Sequence, residues 1–439
     1  MRLARILAAA LAIALVGAAC QGDEGGEDRT PSATSVPSVR ETPSPPPEGS
    51  GSSAAAMEQL CDYGPPPGSE PVPPEGPTPA AIAEVERAVE ELRGLDFTER
   101  VVADSVTQAE LVDGLEKSFD YSYPRELLER RSRAWQTIGV IPPQTSIRAE
   151  LERFASGQVI GYYDTLTGEL VFIGTDDPAP YERVTLAHEL THAIDDQNFG
   201  LERLDALMTS CRDEAASAAV ALVEGNATFF MTAYALRYLT PEEQLTLGEQ
   251  AGGEQPEVAP FIENQQIWPY TAGQRFVTTL SSDGGIDAIN GAFRDLPVST
   301  EQILHPERYP NDVPTPVDVE DLAPALGSGW EDLDVQEVGE EWLLLALQLR
   351  LDDAVAQEAA AGWDGGTYRA WTDGRDVAVV LSTVWDSPGE ATAFADAMGD
   401  WIAASPEGQS AEVLPAEGSN VQVLFASDAT TLDALDAAA

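Results

Sequence analysis

Leu186–Asp196 reads LAHELTHAIDD, and the reading of this stretch decides the fold. The chain has 3 histidines in 439 residues, and His188 and His192 stand four positions apart here. On an α-helix that spacing places both imidazoles on one face. A tetrahedral zinc ion takes such a pair as two of its ligands, and Glu189 beside them is a carboxylate able to carry a proton. The other reading is two core histidines on an ordinary helix. The surrounding sequence separates the two.

Downstream, Asp213–Leu239 (DEAASAAVALVEGNATFFMTAYALRYL) reads as a long buried helix, rich in Ala, with aromatic residues later. Glu224 sits in it among apolar neighbours. A lone carboxylate there is costly unless it is neutralised. A metal would neutralise it, and so would a kink at Gly225 that opens it to water. The first option completes a ligand set of His188, His192 and Glu224, with the fourth position left for water. Glu189, close but not ligating, then acts as general base and hands the proton on to the leaving amine. Upstream, Val159–Tyr163 and Glu169–Ile173 flank DTLTG and read as a β-hairpin. Its edge strand is one on which an extended peptide can pair through backbone hydrogen bonds.

The expected fold class is α+β. Thr78 and Pro79 open a helix in TPAAIAEVERAVEELRGLDF, and YPRELLERRSRAWQTIGVIPP is a second amphipathic helix stopped by Gly139 and Pro142–Pro143. The Pro-rich run LHPERYPNDVPTPVDVEDLAP marks a boundary near residue 312. Beyond it, EEWLLLALQLRL and GEATAFADAMGDWIAA are helical and TYRAWTDGRDVAVVLSTVWD gives two strands about a Gly turn. This small unit carries no ligand cluster or nucleophile–base pair, and its Trp363, Trp371 and Trp385 read as core. The expected organisation is residues 1–20 as leader, 21–75 as a tether, 76–312 as the domain with the histidines, and 313–439 as the C-terminal α+β domain.

MRLARILAAALAIALVGAAC has two arginines, an apolar run too short to span a bilayer comfortably, and small residues before Cys20. It resembles a bacterial lipoprotein signal, although Gly17 stands where Leu is usual. Acylation of Cys20 would make an extracytoplasmic, membrane-anchored protein; a plain cleaved signal or an uncleaved anchor are the other options. Residues 21–75, mostly Gly, Ser, Pro, Thr and Glu, have too little apolar surface to fold and are expected to be a disordered tether. With Cys20 acylated, Cys61 and Cys211 remain, either as one disulfide or as two free thiols. The net charge of −51 argues against nucleic acid as a partner, since phosphates would be repelled.

HELTHAIDD resembles the zinc helix of thermolysin-like peptidases: His188, Glu189, Leu190, Thr191, His192 and Ala193 match, and Asp196 matches an aspartate four residues after the second histidine. The Asn-Glu-Ala motif of their third ligand is replaced by VEGNA, closer to the Glu-Gly-x-Ala pattern of other zinc peptidases with a glutamate ligand, the gluzincin group. A broader likeness is to a poorly characterised set of exported bacterial and archaeal metallopeptidases. It rests on GYYDTLTGELV, AHELTHAIDDQNF, ALVEGNAT, STEQILHPERY and AAAGWDGGTYRAW, and covers most of the chain after residue 90. The resemblance implies a zincin-like domain, Zn2+ as cofactor, and a peptide or protein as substrate.

It also implies that a later histidine and tyrosine, here His305 and Tyr309, stabilise the oxyanion; the opposing reading has His305 bonding a turn before Pro306. Asp196 either orients a ligand imidazole or caps the helix end, and Asn226 has a similar claim behind the ligands. Two rivals to an endopeptidase stand beside it. One is a noncatalytic surface lipoprotein with a structural zinc site closed by Cys211. The other is a zinc amidase acting on cell-wall peptides.

Overall fold

The computed structural model describes residues 5–6, 51–61, 78–114, 124–165, 167–175, 177–250, 257–405 and 409–439. Cys20 and most of the leader and tether lie outside the described residues. The fold is mixed α+β with two sheets.

The first sheet has the order β1 (Arg5–Ile6), β3 (Gly161–Asp164), β4 (Glu169–Ile173), β2 (Val102–Val106). The expected hairpin is β3 and β4, antiparallel with Gly161 opposite Phe172 and Asp164 opposite Glu169; β2 runs parallel to β4. In β4 the side chains alternate, and Leu170 and Phe172 turn into the core. The outer edge of β3 is paired only by the dipeptide β1, antiparallel, among the described residues.

Against this sheet lies the histidine helix, Pro180–Phe199. Pro180 opens it with a preset φ, and the Glu182 carboxylate accepts the Ala179 backbone N–H at 2.7 Å, satisfying a donor the helix itself cannot. Gly200, at φ 68°, ends it. From Leu186 to Asp195 every side chain is buried, so this stretch of the helix has no face toward solvent.

The glutamate helix, Asp213–Tyr238, packs beside it. Its length and apolar character would suit a membrane span, but most of it is buried inside the protein. Asp213 and Glu214 in its first turn and Arg237 in its last complement the helix dipole. A third element, the crossing helix Pro260–Arg294, contains Pro269 and breaks at Gly285. It crosses the glutamate helix backbone to backbone. A Cβ on Gly225 would lie 2.0 Å from the carbonyl carbon of Gly273, so both positions must be glycine for the crossing to close. Gly225 therefore serves helix packing and does not open Glu224 to water.

The second sheet is antiparallel, in the order β5 (Glu331–Glu337), β6 (Trp363–Thr372), β7 (Val377–Trp385), β9 (Asn420–Ala426), β8 (Ser410–Val413). The expected strand pair is β6 and β7, and Trp363, Trp371 and Trp385 are core residues. In β7, Val379 and Leu381 face the main core while Ala378 and Val380 face a smaller cluster under Leu435.

The boundary near residue 312 separates the sheets but not the core. Trp135 on the helix Arg125–Ile138, Phe261 on the crossing helix and Trp342 on the helix Glu340–Gln348 meet edge to face, at 5.2–6.3 Å between centroids. One apolar cluster runs through both parts.

The tether expectation needs correction at residues 51–61. Ser53–Leu60 is a helix capped by Ser52, and it is docked. Asp318 accepts from both the Ser53 amide and hydroxyl at 2.7 Å, and Arg369 donates to the Gly51 carbonyl at 2.7 Å. Cys61 is joined to Cys211 by a disulfide. Ala55, Ala56 and Met57 lie in a compositionally poor run, but the disulfide and the hydrogen bonds to Asp318 and Arg369 hold it in place.

Candidate metal centre

His188 and His192 project from one face of the histidine helix toward Glu224 on the glutamate helix. The His188 Nε2 to Glu224 Oε2 distance is 3.1 Å, His192 Nε2 to His188 Nε2 is 3.0 Å, and His192 Nε2 to Glu224 Oε2 is 3.4 Å. All three side chains are at most 3% exposed. One proton cannot satisfy three such edges, because a ring nitrogen that donates has no lone pair left to accept. A cation at the centre satisfies all of them. A tetrahedral ion with bonds near 2 Å holds its donors about 3.3 Å apart, which matches the triangle. A metal ion thus fits the donor set formed by His188, His192 and Glu224.

The electrostatics agree. Burial alone would raise the Glu224 pKa, but His192 and His188 hold it below the ordinary carboxylate value. Glu189 is the contrasting case. Burial, aided by Glu224, pushes it up to about 8 against the opposing pull of His188 and the Tyr163 amide of β3. Neither Glu189 oxygen is in hydrogen-bond geometry with a protein donor among the described residues. A buried carboxylate that no side chain bonds among the described residues, next to the candidate metal triangle, is suited to exchanging a proton with whatever enters. The Tyr270 ring of the crossing helix stacks on His188, 6.0 Å between centroids.

Asp196 does not reach an imidazole. Its carboxylate accepts the Leu201 amide at 2.8 Å and the Tyr163 hydroxyl at 3.2 Å, which ties the helix end to β3; burial lifts its pKa to about 6. The neighbouring Asp195 is the one that lies behind the ligands. It is buried, accepts from Arg93 Nε at 2.8 Å, and accepts from Asn226 Nδ2 at 2.6 Å. Asn226, expected to orient a ligand imidazole as Asp196 was, donates instead to Asp195. Arg93 also donates to Asn290 Oδ1 at 2.6 Å. Arg93 was readable, because it continues the buried stripe Ile82, Val85, Val89 of its helix, where an arginine demands a buried acid. Nothing local marks Asn290 or Tyr270.

His305 and Tyr309 have polar partners away from the ligand residues. His305 Nε2 pairs with Glu340 Oε1 at 3.0 Å, and that hydrogen bond raises its pKa. The Tyr309 hydroxyl donates to the Asp295 carbonyl at 2.6 Å, and its ring packs edge-on against Phe276. Neither makes a hydrogen bond, ion pair or ring contact with His188, Glu189, His192 or Glu224 among the described residues. These two contacts fix the 299–312 segment.

Residues 330–436 match a family described as a domain of unknown function (DUF8575). No curated protein and no solved structure matches the chain. The family match covers the second sheet and begins at residue 330, after the ligand residues, so it carries no information about the triangle.

Proposed function

We propose that the protein is a zinc-dependent peptidase of the gluzincin type, with a zincin-like arrangement in residues 76–312, exported and held at a membrane through a lipid on Cys20. The observation that carries this reading is the ligand triangle with Glu189 beside it, its carboxylate held by no side-chain hydrogen bond among the described residues. His188, His192 and Glu224 hold the ion. Bound zinc supplies a Lewis acid for the scissile carbonyl and lowers the pKa of water to about 7. Glu189 takes the proton of the attacking water and delivers it to the departing amine nitrogen. Among the described residues the outer edge of β3 is paired only by Arg5–Ile6 of the leader, and removal of the leader on acylation of Cys20 would leave that edge open to an extended peptide. Because the ligands are buried, substrate entry requires the structure around the site to open.

A purely structural site closes its fourth position with Cys or His. Cys211 is consumed in the disulfide and His305 is bonded to Glu340, which disfavours that reading. The test is cleavage of a mixed peptide library by the full chain loaded with zinc, read by mass spectrometry beside Glu189→Gln and a chelated control. The proposal expects cuts that vanish in both controls. Cuts that persist in Glu189→Gln, or no cuts from a folded, zinc-loaded chain, would count against it.

A further inference from the structure

The metal triangle spans two helices, and its geometry is only as fixed as their relative register. Apolar packing sets how close two helices lie but is non-directional along their axes. A slip of one residue moves a ligand about 1.5 Å along the axis, most of a metal–ligand bond length. A directional tie between the two helices close to the ligands is therefore needed.

We propose that Asp195 is a positioning residue for the metal centre, a brace that fixes the register of the histidine helix against the glutamate helix; this rests on the metal reading above. Asp195 follows His192 by three residues and Asn226 follows Glu224 by two. Their side chains meet at 2.6 Å, joining the two ligand-bearing helices directly behind the triangle. The other Asp195 oxygen is held by Arg93 at 2.8 Å. The Arg93 guanidinium lies over Phe199, Phe230 and Phe293, at 5.4–5.6 Å, one ring each from the histidine, glutamate and crossing helices. Arg93, Asp195 and Asn226 are each at most 1% exposed. Buried ion pairs are poor sources of stability, since apolar residues of similar volume often do as well. Their best-attested use is setting register. An Arg and an Asp placed in the seam between ligand helices match that use.

The structure also supplies the control. Asn290 Oδ1 accepts from Arg93 at 2.6 Å, so Asn290→Ala removes one buried hydrogen bond from the same cluster without touching either ligand helix. Asn226→Ala removes one bond that does join them. The measurement is zinc affinity of the full chain, by competition with a chromophoric chelator, together with the denaturation midpoint of each metal-free variant. Asn226→Ala is expected to weaken zinc about 10–100-fold, the range for residues that orient metal ligands. Asn290→Ala is expected to stay within about threefold of wild type while losing similar metal-free stability. Asn226→Ser serves if the alanine variant does not fold. Wild-type zinc affinity in Asn226→Ala, or equal losses in both variants, would overturn the brace. A wild-type chain that takes up no zinc would instead overturn the metal reading, and the brace with it.

Discussion

Gly225→Ala is the substitution for which two physical effects predict opposite signs. Gly225 lies mid-helix, where Ala is favoured over Gly by about 1 kcal/mol on intrinsic propensity. The crossing helix opposes this. The added Cβ would stand 2.0 Å from the Gly273 carbonyl carbon, 2.4 Å from its Cα and 2.4 Å from its oxygen. Ordinary carbon contacts begin at about 3.5 Å, so the helices must move apart by about 1.5 Å. The atoms met are backbone and cannot rotate aside, which puts the cost at the upper part of the about 1–3 kcal/mol range for overpacking. The net expectation is a loss of about 2 kcal/mol. Gly399, exposed in the helix Pro388–Ala403 with open space around its Cβ position, isolates the propensity effect. Gly399→Ala should gain up to about 1 kcal/mol. Urea unfolding of the metal-free proteins measures both. The separation should also reach the triangle, because Glu224 adjoins Gly225, and Tyr270, which stacks on His188, lies one turn from Gly273. Weaker zinc binding is therefore expected alongside. A Gly225→Ala protein as stable as the Gly399→Ala control would refute the crossing geometry.

Other outcomes follow from the same structure. Replacing Cys61 and Cys211 by Ser should cost about 2–5 kcal/mol in unfolding assays, since the disulfide joins residues 150 apart, and should leave zinc stoichiometry unchanged. Burial beside Glu214 raises Glu341 from 4.5 to about 8, so its contribution to stability is full below pH 4.5 and lost as pH rises through 8. Glu341→Gln should match wild type near pH 4 and exceed it near pH 9, by at most about 5 kcal/mol, in thermal scans across pH; a gap that shrinks as pH rises would count against the burial of this carboxyl. Zinc at a hundredfold excess over its dissociation constant should stabilise the wild type by about 2.7 kcal/mol in thermal unfolding, and Glu224→Ala should not respond.

Much of the site was legible because its chemistry is encoded in spacing. His188 and His192 four apart on a helix, and one carboxylate inside an apolar helix, are strong local signals, and the structure brings their atoms together. The β3–β4 hairpin was legible from its alternation and turn. The crossing helix was not, because Pro269, Gly273 and the Gly284–Gly285 pair break every helical pattern; tertiary packing against the glutamate helix overrides their propensities. β5 was missed because EDLDVQE is acidic, yet Asp334 and Gln336 are buried by side-chain partners: Tyr368 for the first and Trp135 for the second. The roles given to His305, Tyr309 and Asp196 came from order along the chain and from likeness. Order does not fix distance. Asp195 stands next to Asp196, but only the buried arginine on another helix shows which of the two faces inward.

The central claim is that three buried side chains bind one metal ion. Its most direct test is zinc content of the purified full chain by elemental analysis, for wild type, His192→Ala, Glu224→Ala and Glu189→Gln. The account predicts one zinc per chain in wild type and in Glu189→Gln, and loss of zinc in His192→Ala and Glu224→Ala. A folded wild type without zinc-binding capacity, or a Glu224→Ala protein that keeps its zinc, would contradict it.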